Sequence, residues 1–351
     1  MKSKQETLVI LTPGFPKDEA DSTCIPALQV FVKGLKEVCP GLDVIVLTFQ
    51  YPFKKGKYKW HGIKVISIGG KSKGGLFHVV TWVKAWATLQ KLNRTRHLIG
   101  LLSFWLGECA FVGSYFAKFH RLNHYCWLVG QDVKTGNKYF NWVKPKGDSL
   151  IAMSDFLATQ FKTNYKVSPL YVIPFGVDTS LFGAASPHRD IDILGAGSLI
   201  PLKQYELFIE TIGFVKEFFP GIKAVLCGKG PEMERLKAMA VSLHLENNLR
   251  FTGELTHQEV LAFMQRSKIF LHPSMYEGFS TVLSEALYAG AHVVSFCKPM
   301  EKQFRNHYVV KTTTEMNEQV LTVLRAKKLD HRPVLLYPVE QIAKNVISLF
   351  V

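Results

Sequence analysis

The stretch from residue 272 to residue 290 constrains the fold of this chain more than any other part of its sequence. An apolar run at 269–271 precedes it, and a second apolar run at 292–296 follows it. The pattern between them is typical of a strand, a glycine turn, a helix and another strand. Gly278 allows the backbone to bend tightly at that turn. The stretch therefore predicts one βαβ unit of a parallel sheet.

The start of the predicted helix has the features of an anion site. Ser280 or Thr281 can cap the helix with its hydroxyl oxygen. The N–H groups of a first helical turn have no partners within the helix, and they carry partial positive charge. We therefore expect this turn to cradle a phosphate or diphosphate.

Two carboxylates, Glu277 and Glu285, bracket the turn and the beginning of the helix. Helical spacing would separate their Cα atoms by roughly 12 Å. The two carboxyl groups of a glycosidase flank a single bond and lie about 5 to 9.5 Å apart. The spacing therefore favours two glutamates that hold different parts of one long ligand, such as a nucleotide sugar. The alternative is a capped helix whose glutamates are only solvated.

Strand-like and helical segments alternate along the whole chain, which predicts an α/β fold with doubly wound parallel sheets. In the first half we predict strands at 7–12, 43–49, 63–68, 98–103, 124–129, 149–153 and 170–173, and helices at 23–39, 76–92, 107–119 and 154–163. In the second half we predict strands at 191–194, 223–227, 248–251, 269–272 and 292–296, and helices at 203–218, 230–244, 256–265 and 281–289. The length of 351 residues suits two domains. We place them at 1–178 and 179–330, with a linker at 176–190 that contains Gly176, Gly183 and Pro187, and with a C-terminal helical tail at 331–351.

Several motifs together resemble the GT-B glycosyltransferases of family 4, which are retaining sugar transferases. They are Glu277 and Glu285 in their Pro-Ser-x-x-Glu-Gly-Phe setting, Gly195-x-Gly197-Ser198, Gly228-Lys229-Gly230, Gly253-Glu254-Leu255 and Gly130-Gln131-Asp132. The resemblance is strongest from 190 to 296 and implies two Rossmann-like domains that face each other across a cleft. It also implies that the C-terminal tail crosses back onto the first domain.

The resemblance implies a role for each matching residue. Lys203 would contact the diphosphate leaving group, Glu277 the sugar near the reacting carbon, and Glu285 the ribose. The remaining donor-binding residues would be Gly197, Ser198, Gly228, Gly230, Gly253, Glu254, Leu255, Gly278, Phe279, Ser280 and Thr281. Gly14, Gln131 and Asp132 would lie on the acceptor side of the cleft. No metal and no cofactor are implied, since the nucleotide sugar is a substrate and the donor loops contain no Asp-x-Asp motif.

Two positions depart from the family pattern. Ser198 stands where family members usually have an arginine, so one of two charges on the leaving group is missing. Val129 stands where a histidine commonly helps to fix the donor sugar, and valine has no hydrogen-bonding side chain. Gln131 or Asp132 could take over that contact, or backbone groups could.

The formal net charge of +15 favours an acidic partner. The segment 53–60 interleaves lysines with aromatic residues, and Lys71 and Lys73 follow it. This pattern fits contact with an anionic membrane and a solvated basic loop equally well. Nucleic-acid binding would explain the charge but not the paired glutamates, so we expect none. Six scattered cysteines without a Cys-x-x-Cys pair suit a cytoplasmic protein with free thiols, which could lie peripherally at the inner face of the membrane.

The function that we predict is transfer of a sugar from a nucleotide-sugar donor to a saccharide or lipid-linked acceptor, in the synthesis of a cell-surface polysaccharide. The departures at Val129 and Ser198 suggest a second candidate, a catalytically silent GT-B-like binding protein. A GT-B-shaped sugar-nucleotide epimerase or a phosphorylase is a third, although no lysine stands in a convincing setting for the pyridoxal cofactor of a phosphorylase.

Overall fold

A computed structural model describes residues 5–72, 74–184 and 188–351, and the chain divides into two compact units. Unit 1 runs up to Gly176 and also includes Val339–Val351, and unit 2 is Val177–Pro338. The unit boundaries thus lie at 176 and 338, whereas the sequence pattern predicts them at 178 and 330. Lys73 of the predicted basic segment and Pro187 of the predicted linker lie outside the described residues.

Unit 1 is built on one sheet of eight strands in the order β3-β4-β2-β1-β5-β6-β7-β8. The strands are β1 Glu6–Gly14, β2 Asp43–Tyr51, β3 Gly56–Trp60, β4 Ile63–Ser67, β5 His97–Phe104, β6 Asn123–Leu128, β7 Leu150–Ala152 and β8 Tyr171–Val172. The helices are α1 Pro26–Val38, α2 Leu76–Thr95, α3 Glu108–His120, α4 Lys138–Val143 and α5 Asp155–Tyr165. All strand pairs are parallel except β3 with β4. The central strands are almost continuously buried, as expected for a parallel sheet covered on both faces.

Each strand and helix predicted for the first half lies on an observed element, but the structure corrects the prediction at 53–60. Residues 56–60 form the antiparallel edge strand β3 rather than a loop. Trp60 is fully buried, and the Tyr58 hydroxyl donates a hydrogen bond to the carbonyl oxygen of Pro16. Of the aromatic residues in this segment, Phe53 is the exposed one, with 55% of its surface accessible.

Unit 2 is built on a parallel sheet of six strands in the order β11-β10-β9-β12-β13-β14. The strands are β9 Ile191–Ala196, β10 Ala224–Cys227, β11 Leu249–Gly253, β12 Ser267–His272, β13 His292–Ser295 and β14 His307–Val309. The helices are α6 Tyr205–Lys216, α7 Met233–Ser242, α8 His257–Gln265, α9 Thr281–Tyr288 and α10 Thr313–Arg325. All elements predicted for the second half are present, and β14 and α10 are additional.

The strand order of unit 2 reverses between β9 and β12. From β9 the chain proceeds outward through β10 to β11, and then returns to β12 on the other side of β9 before continuing to β13 and β14. In open α/β sheets, ligands bind outside the carboxyl ends of the strands at such a switch point. The loops after β9 and β12 are therefore the place in unit 2 where a ligand site is expected.

The C-terminal helix α11, Val339–Ile347, belongs to unit 1 and packs against α1. Close packing requires glycine at Gly34, because a Cβ atom there would lie 2.6 Å from Cγ2 of Val339. The Tyr125 hydroxyl donates a hydrogen bond of 2.8 Å to the carbonyl oxygen of Leu349, which fixes the end of the tail. Within the described residues, none of the helices is long and apolar enough to span a bilayer.

Candidate functional site

Glycines bring the loops after β9 and β10 into direct backbone contact in unit 2. Gly197 has φ of 153° and Gly228 has φ of 143°, conformations that residues with a side chain rarely adopt. A Cβ atom on Gly228 would lie 1.9 Å from the carbonyl oxygen of Gly197, and one on Gly230 would lie 2.2 Å from that of Leu199. Side chains at these positions would push the two loops apart. The loop glycines therefore shape the carboxyl edge of the sheet.

The end of β11 joins this cluster of loops. The Gly228 N–H donates a hydrogen bond of 2.8 Å to the carbonyl oxygen of Gly253, and the Lys229 ammonium pairs with the Glu254 carboxylate. Leu255 packs on the apolar core between the sheet and α8. Gly197, Gly228, Gly230, Gly253, Glu254 and Leu255, all predicted to bind the donor, are thus on neighbouring strand ends.

The Glu277 carboxylate lies at the switch point between two basic side chains. Its Oε1 accepts a hydrogen bond from the Lys203 ammonium, and it lies 3.0 Å from Nε2 of His272. Lys203 ends a short 3-10 turn at Pro201–Lys203, just before α6, and His272 is the last residue of β12. The predicted catalytic pair, Lys203 and Glu277, is therefore in direct contact across 74 residues of sequence. Ser198 lies in the same loop as Lys203, and its side chain is exposed.

The surroundings of Glu277 keep it ionised. Burial by itself raises the pKa of this carboxyl group, but the hydrogen bond from His272 and the charge of Lys203 outweigh burial, so the pKa falls to about 2. Burial lowers the pKa of His272, which is therefore neutral at pH 7 and donates its Nε2–H to the carboxylate. Since Lys203 is a cation, the pair carries no net charge but keeps one anionic and one cationic group at the site.

Helix α9 begins at Thr281, close after Glu277. Ser280 occupies the N-cap position, but among the described residues neither its hydroxyl nor any other side chain makes the capping hydrogen bond that we predict from the sequence. The N-terminal N–H groups of α9 are therefore not satisfied by a cap from Ser280. Gly278 and Phe279 form the turn before the helix, and the Phe279 ring packs against Tyr337 at 5.8 Å between centroids.

Glu285 lies on α9 and is buried, with 8% of its surface accessible. Its Oε1 lies 2.8 Å from Nε2 of His257, the first residue of α8. A capping box formed by Thr256 and Glu259 fixes the start of α8 and so holds His257 in place. Each of the two predicted site glutamates thus has a histidine beside it.

The predicted acceptor-side residues all lie in unit 1, after the carboxyl ends of parallel strands. Gly14 ends β1, and Gln131 and Asp132 follow β6 in a short 3-10 turn. The Asp132 carboxylate is buried and accepts a hydrogen bond of 2.7 Å from the Val129 N–H. Burial raises its pKa to about 7 even though backbone hydrogen bonds act in the opposite direction. Asp132 therefore holds its own loop together, whereas the Gln131 side chain is exposed.

Sequence reasoning missed three residues at the site in unit 2: His272, His257 and Tyr205. Tyr205 is buried and its hydroxyl has no hydrogen-bond partner among the described residues, while a Cβ atom on Gly197 would lie 2.7 Å from that hydroxyl. His272 occurs five residues before Glu277, and this short separation is the one signal that could have identified it. His257 and Tyr205 are far from the glutamates in sequence, and no local pattern identifies them.

Comparison with known proteins places these residues in a family context. Residues 178–334 match the sequence model described as Glycosyl transferases group 1. A phosphatidylinositol N-acetylglucosaminyltransferase subunit of Arabidopsis thaliana is 29% identical over 140 residues, which are 39% of this chain and 31% of that protein. The 2-deoxystreptamine N-acetyl-D-glucosaminyltransferase of Niallia circulans is 27% identical over 103 residues, 29% of this chain and 26% of that protein. These alignments span about a third or less of the curated relatives.

Solved structures with similar folds cover nearly the whole chain. HepE of Anabaena, determined in complex with UDP and glucose, superimposes with a TM-score of 0.70 at 16% identity and covers 98% of both chains. Sucrose-phosphate synthase of Thermosynechococcus elongatus superimposes with a TM-score of 0.69 at 15% identity, covering 99% of this chain and 95% of that one. This chain therefore has the GT-B fold with two parallel-sheet α/β domains, which together with the match of residues 178–334 to the group 1 family supports a GT-B glycosyltransferase.

Proposed function

We propose that this protein is a retaining glycosyltransferase that moves a hexose-type sugar from a nucleotide-sugar donor to a saccharide or glycolipid acceptor. The observation that carries the proposal is the placement of Glu277 at the switch point of unit 2, where Lys203 and His272 hold its carboxylate ionised beside the start of α9. Such a site offers a fixed anion, the Glu277 carboxylate, and a fixed cation, the Lys203 ammonium, close enough for one ligand to contact both. A nucleotide sugar needs both, because its sugar carbon becomes positive as its diphosphate leaves.

The proposed roles follow from charge. Glu277 contacts the sugar and favours the positive charge that develops at the reacting carbon. Lys203 and the N-terminal N–H groups of α9 stabilise the departing diphosphate, so the reaction needs no metal and no cofactor. Glu285, held by His257, accepts hydrogen bonds from the ribose hydroxyls.

The names of the relatives support this class of donor and acceptor. Two of the curated relatives are named as N-acetylglucosaminyltransferases, and HepE was solved with UDP and glucose. We propose that the acceptor belongs to cell-surface polysaccharide or glycolipid synthesis, and that the protein acts in the cytoplasm, peripherally at the inner face of the membrane. A lipid-linked acceptor would place the reaction there.

A catalytically silent binding protein is the second candidate, and Ser198 favours it. Its exposed hydroxyl can donate one hydrogen bond to a diphosphate, but it cannot neutralise charge. A sugar-nucleotide epimerase is a third candidate. Binding alone would not separate the three, since each of them would bind a nucleotide sugar.

The test begins with a thermal-shift panel of nucleoside diphosphates and their sugars, because a ligand that binds only the folded state raises the melting temperature. The best donor is then incubated with glycosyl acceptors, with and without a metal chelator, and the product anomer is assigned by NMR. We expect acceptor-dependent release of nucleoside diphosphate that the chelator does not reduce, and a product with the donor's anomeric configuration. Binding without turnover would identify the silent protein, and an altered nucleotide sugar without transfer would identify the epimerase.

A further inference from the structure

The charge of unit 1 is concentrated in one stretch of sequence. Between residues 44 and 147 there are seventeen lysines and arginines but two acidic residues, Glu108 and Asp132. Both acids are buried, and Glu108 accepts hydrogen bonds from Gln50 Nε2 and Trp82 Nε1. Every exposed charged side chain that the structure describes in this stretch is therefore positive. An acidic partner outside the chain would meet no repulsion there.

Helix α2 presents an unusual outer face, because its exposed residues are apolar up to Val83 and include Lys84 and Lys91 after it. Phe77, Val80 and Val83 are 57%, 48% and 63% exposed. Lys84 and Lys91 continue the same stripe at helical spacing. A surface helix normally turns its apolar stripe toward the core. Here Ala85 and Leu89, on the opposite side of α2, already pack into the core. The exposed apolar stripe is therefore not needed for that packing.

Neighbouring helices extend the apolar part of this face. Phe119 of α3 is 74% exposed, and its ring lies 6.2 Å from the ring of Trp86 of α2. Trp142 of α4 is 42% exposed and lies 6.3 Å from Trp82. The α2 face is hereafter the surface formed by Phe77, Val80, Val83, Lys84, Lys91, Phe119 and Trp142.

A basic cavity of about 610 Å³ adjoins the α2 face, between α2 and the strands β3 and β4. Its charged lining residues are Lys55, Lys57, Lys84, Lys91 and Arg96. Arg96 pairs with Asp43, whereas none of the four lysines has an acidic partner within 4.0 Å in the described part of the chain. The cavity is therefore lined by four lysines without an acidic partner, and its volume is large enough for a phosphate group.

We propose that the α2 face is a docking surface for an anionic lipid bilayer, with the basic cavity receiving a lipid phosphate. Charge complementarity favours an anionic partner, and the exposed aliphatic side chains favour a lipid bilayer over a nucleic acid. Valine side chains gain free energy when they enter the boundary between headgroups and acyl chains, but gain nothing from a phosphate backbone in water. A nucleic acid would therefore leave the apolar half of the face exposed.

The surface differs from the one that the sequence suggests. On β3, Trp60 is buried and Tyr58 is half-buried, whereas Lys57 of this strand and Lys55 just before it line the basic cavity. The proposal rests on unit 1 alone and does not depend on transferase activity.

The test uses the full chain and vesicles of phosphatidylcholine with or without phosphatidylglycerol, with binding measured by flotation at low and high salt. The first variant combines Lys55→Glu, Lys57→Glu, Lys84→Glu and Lys91→Glu. Its matched control reverses four exposed lysines of unit 2, namely Lys223, Lys237, Lys327 and Lys328, with the same change in net charge. We expect binding that requires phosphatidylglycerol, declines with salt, and weakens by about 100-fold or more in the first variant but much less in the control.

The second variant tests the apolar half by combining Phe77→Ser, Val80→Ser and Val83→Ser. Its control combines Phe214→Ser, Phe218→Ser and Val241→Ser on exposed positions of unit 2. We expect about tenfold weaker vesicle binding for the α2 variant and no change for the control. All substituted side chains are exposed, and circular dichroism melts verify that each variant is folded.

Three results would overturn the proposal. The parent protein could fail to bind phosphatidylglycerol vesicles at low salt, or the unit 2 controls could lose as much binding as the α2 variants. A parallel titration with duplex RNA gives the third: RNA binding that the lysine variant abolishes, without vesicle binding, would assign the surface to nucleic acid.

Discussion

Each unit buries a carboxylate near the carboxyl end of a parallel strand, and the two carboxylates have opposite properties. Burial raises the pKa of Asp132 in unit 1 to about 7, and the hydrogen bonds from backbone N–H groups, which lower the pKa, do not offset burial. Burial acts on Glu277 in unit 2 as well, but His272 and Lys203 lower its pKa to about 2. Burial alone therefore does not mark a functional acid, since the neighbouring charge decides whether the carboxylate stays ionised.

The same contrast holds for the cations of the two units. Lys203 of unit 2 is paired with an internal partner, the Glu277 carboxylate. Lys55, Lys57, Lys84 and Lys91 of unit 1 have no such partner within the described residues. The cation at the candidate site of unit 2 is thus paired within the chain, whereas the lysines around the cavity of unit 1 are not.

The largest expected effect tests the ionised state of Glu277. Glu277→Gln keeps the size and the hydrogen-bond acceptor but removes the charge, so turnover should fall about 10²–10³-fold with little change in donor affinity. Rates of nucleoside diphosphate release and calorimetric donor binding measure the two quantities separately. The matched control is Glu234→Gln, since Glu234 also pairs with a lysine, Lys237, but is exposed on α7 and is not a predicted site residue, and turnover should change less than about threefold. Full activity of Glu277→Gln would show that the carboxylate is structural.

Loss of the second glutamate should weaken binding rather than chemistry. Glu285→Ala removes a charged hydrogen-bond acceptor, which should cost about 1.5–3 kcal/mol of nucleoside diphosphate affinity by calorimetry. Glu318→Ala serves as the control, because Glu318 is exposed on α10 and is not a predicted site residue, so the affinity should not change. If Glu285→Ala and the parent protein bind nucleoside diphosphate with equal affinity, Glu285 does not contact the ribose.

The third prediction concerns Asp132 in unit 1. The pKa of Asp132 is raised to about 7 in the folded state. Between pH 3.8 and about 7 the folded state therefore binds more protons than the unfolded state, and stability is lost as pH rises through this range. Asp132→Asn should therefore stabilise unit 1 by about 1–3 kcal/mol at pH 8, and the gain should shrink as pH falls toward 4. All six tryptophans lie in unit 1, so their fluorescence during urea unfolding reports on this unit.

The exposed Asp148 provides the control for that experiment. Asp148→Asn should leave the urea midpoint unchanged across the same pH range, because this side chain is exposed to solvent. If Asp132→Asn instead destabilises unit 1 at pH 8, the carboxylate charge itself stabilises the loop and the contrast with Glu277 disappears.

The smallest expected effect concerns the buried histidines of unit 2. Burial lowers the pKa of His292 and His307 to about 4, so the unfolded state binds more protons, and stability is lost as pH falls from about 6.5 toward 4. His307→Gln should reduce the loss of unfolding free energy between pH 7 and 4.5 by about 1–2 kcal/mol, as measured by circular dichroism in urea. The exposed His244 is the control, and His244→Asn should leave this loss unchanged.

The sequence pattern predicted most of the regular structure because parallel sheets bury nearly continuous apolar runs between amphipathic helices. It missed β3, where lysines alternate with aromatic residues on an edge strand, and also the short helix α4 and the pair α10 and β14, for which no strong motif stood nearby. For the site, the glycine loops lie at strand ends of unit 2, Glu277 lies in the loop after β12, and Glu285 lies on α9. The prediction that Ser280 caps α9 was wrong, because among the described residues its hydroxyl makes no capping hydrogen bond.

By itself, the sequence determined the α/β architecture and the residues that lie at the carboxyl ends of the strands, since periodicity, glycine and short motifs are local properties. Tertiary structure alone decided the partners and the burial of each group. The contact between Lys203 and Glu277 joins residues 74 positions apart, and the burial of Asp132 depends on the packing of its whole loop. A pKa follows from neighbours in space and from solvent access, and no local spacing of residues determines either of them.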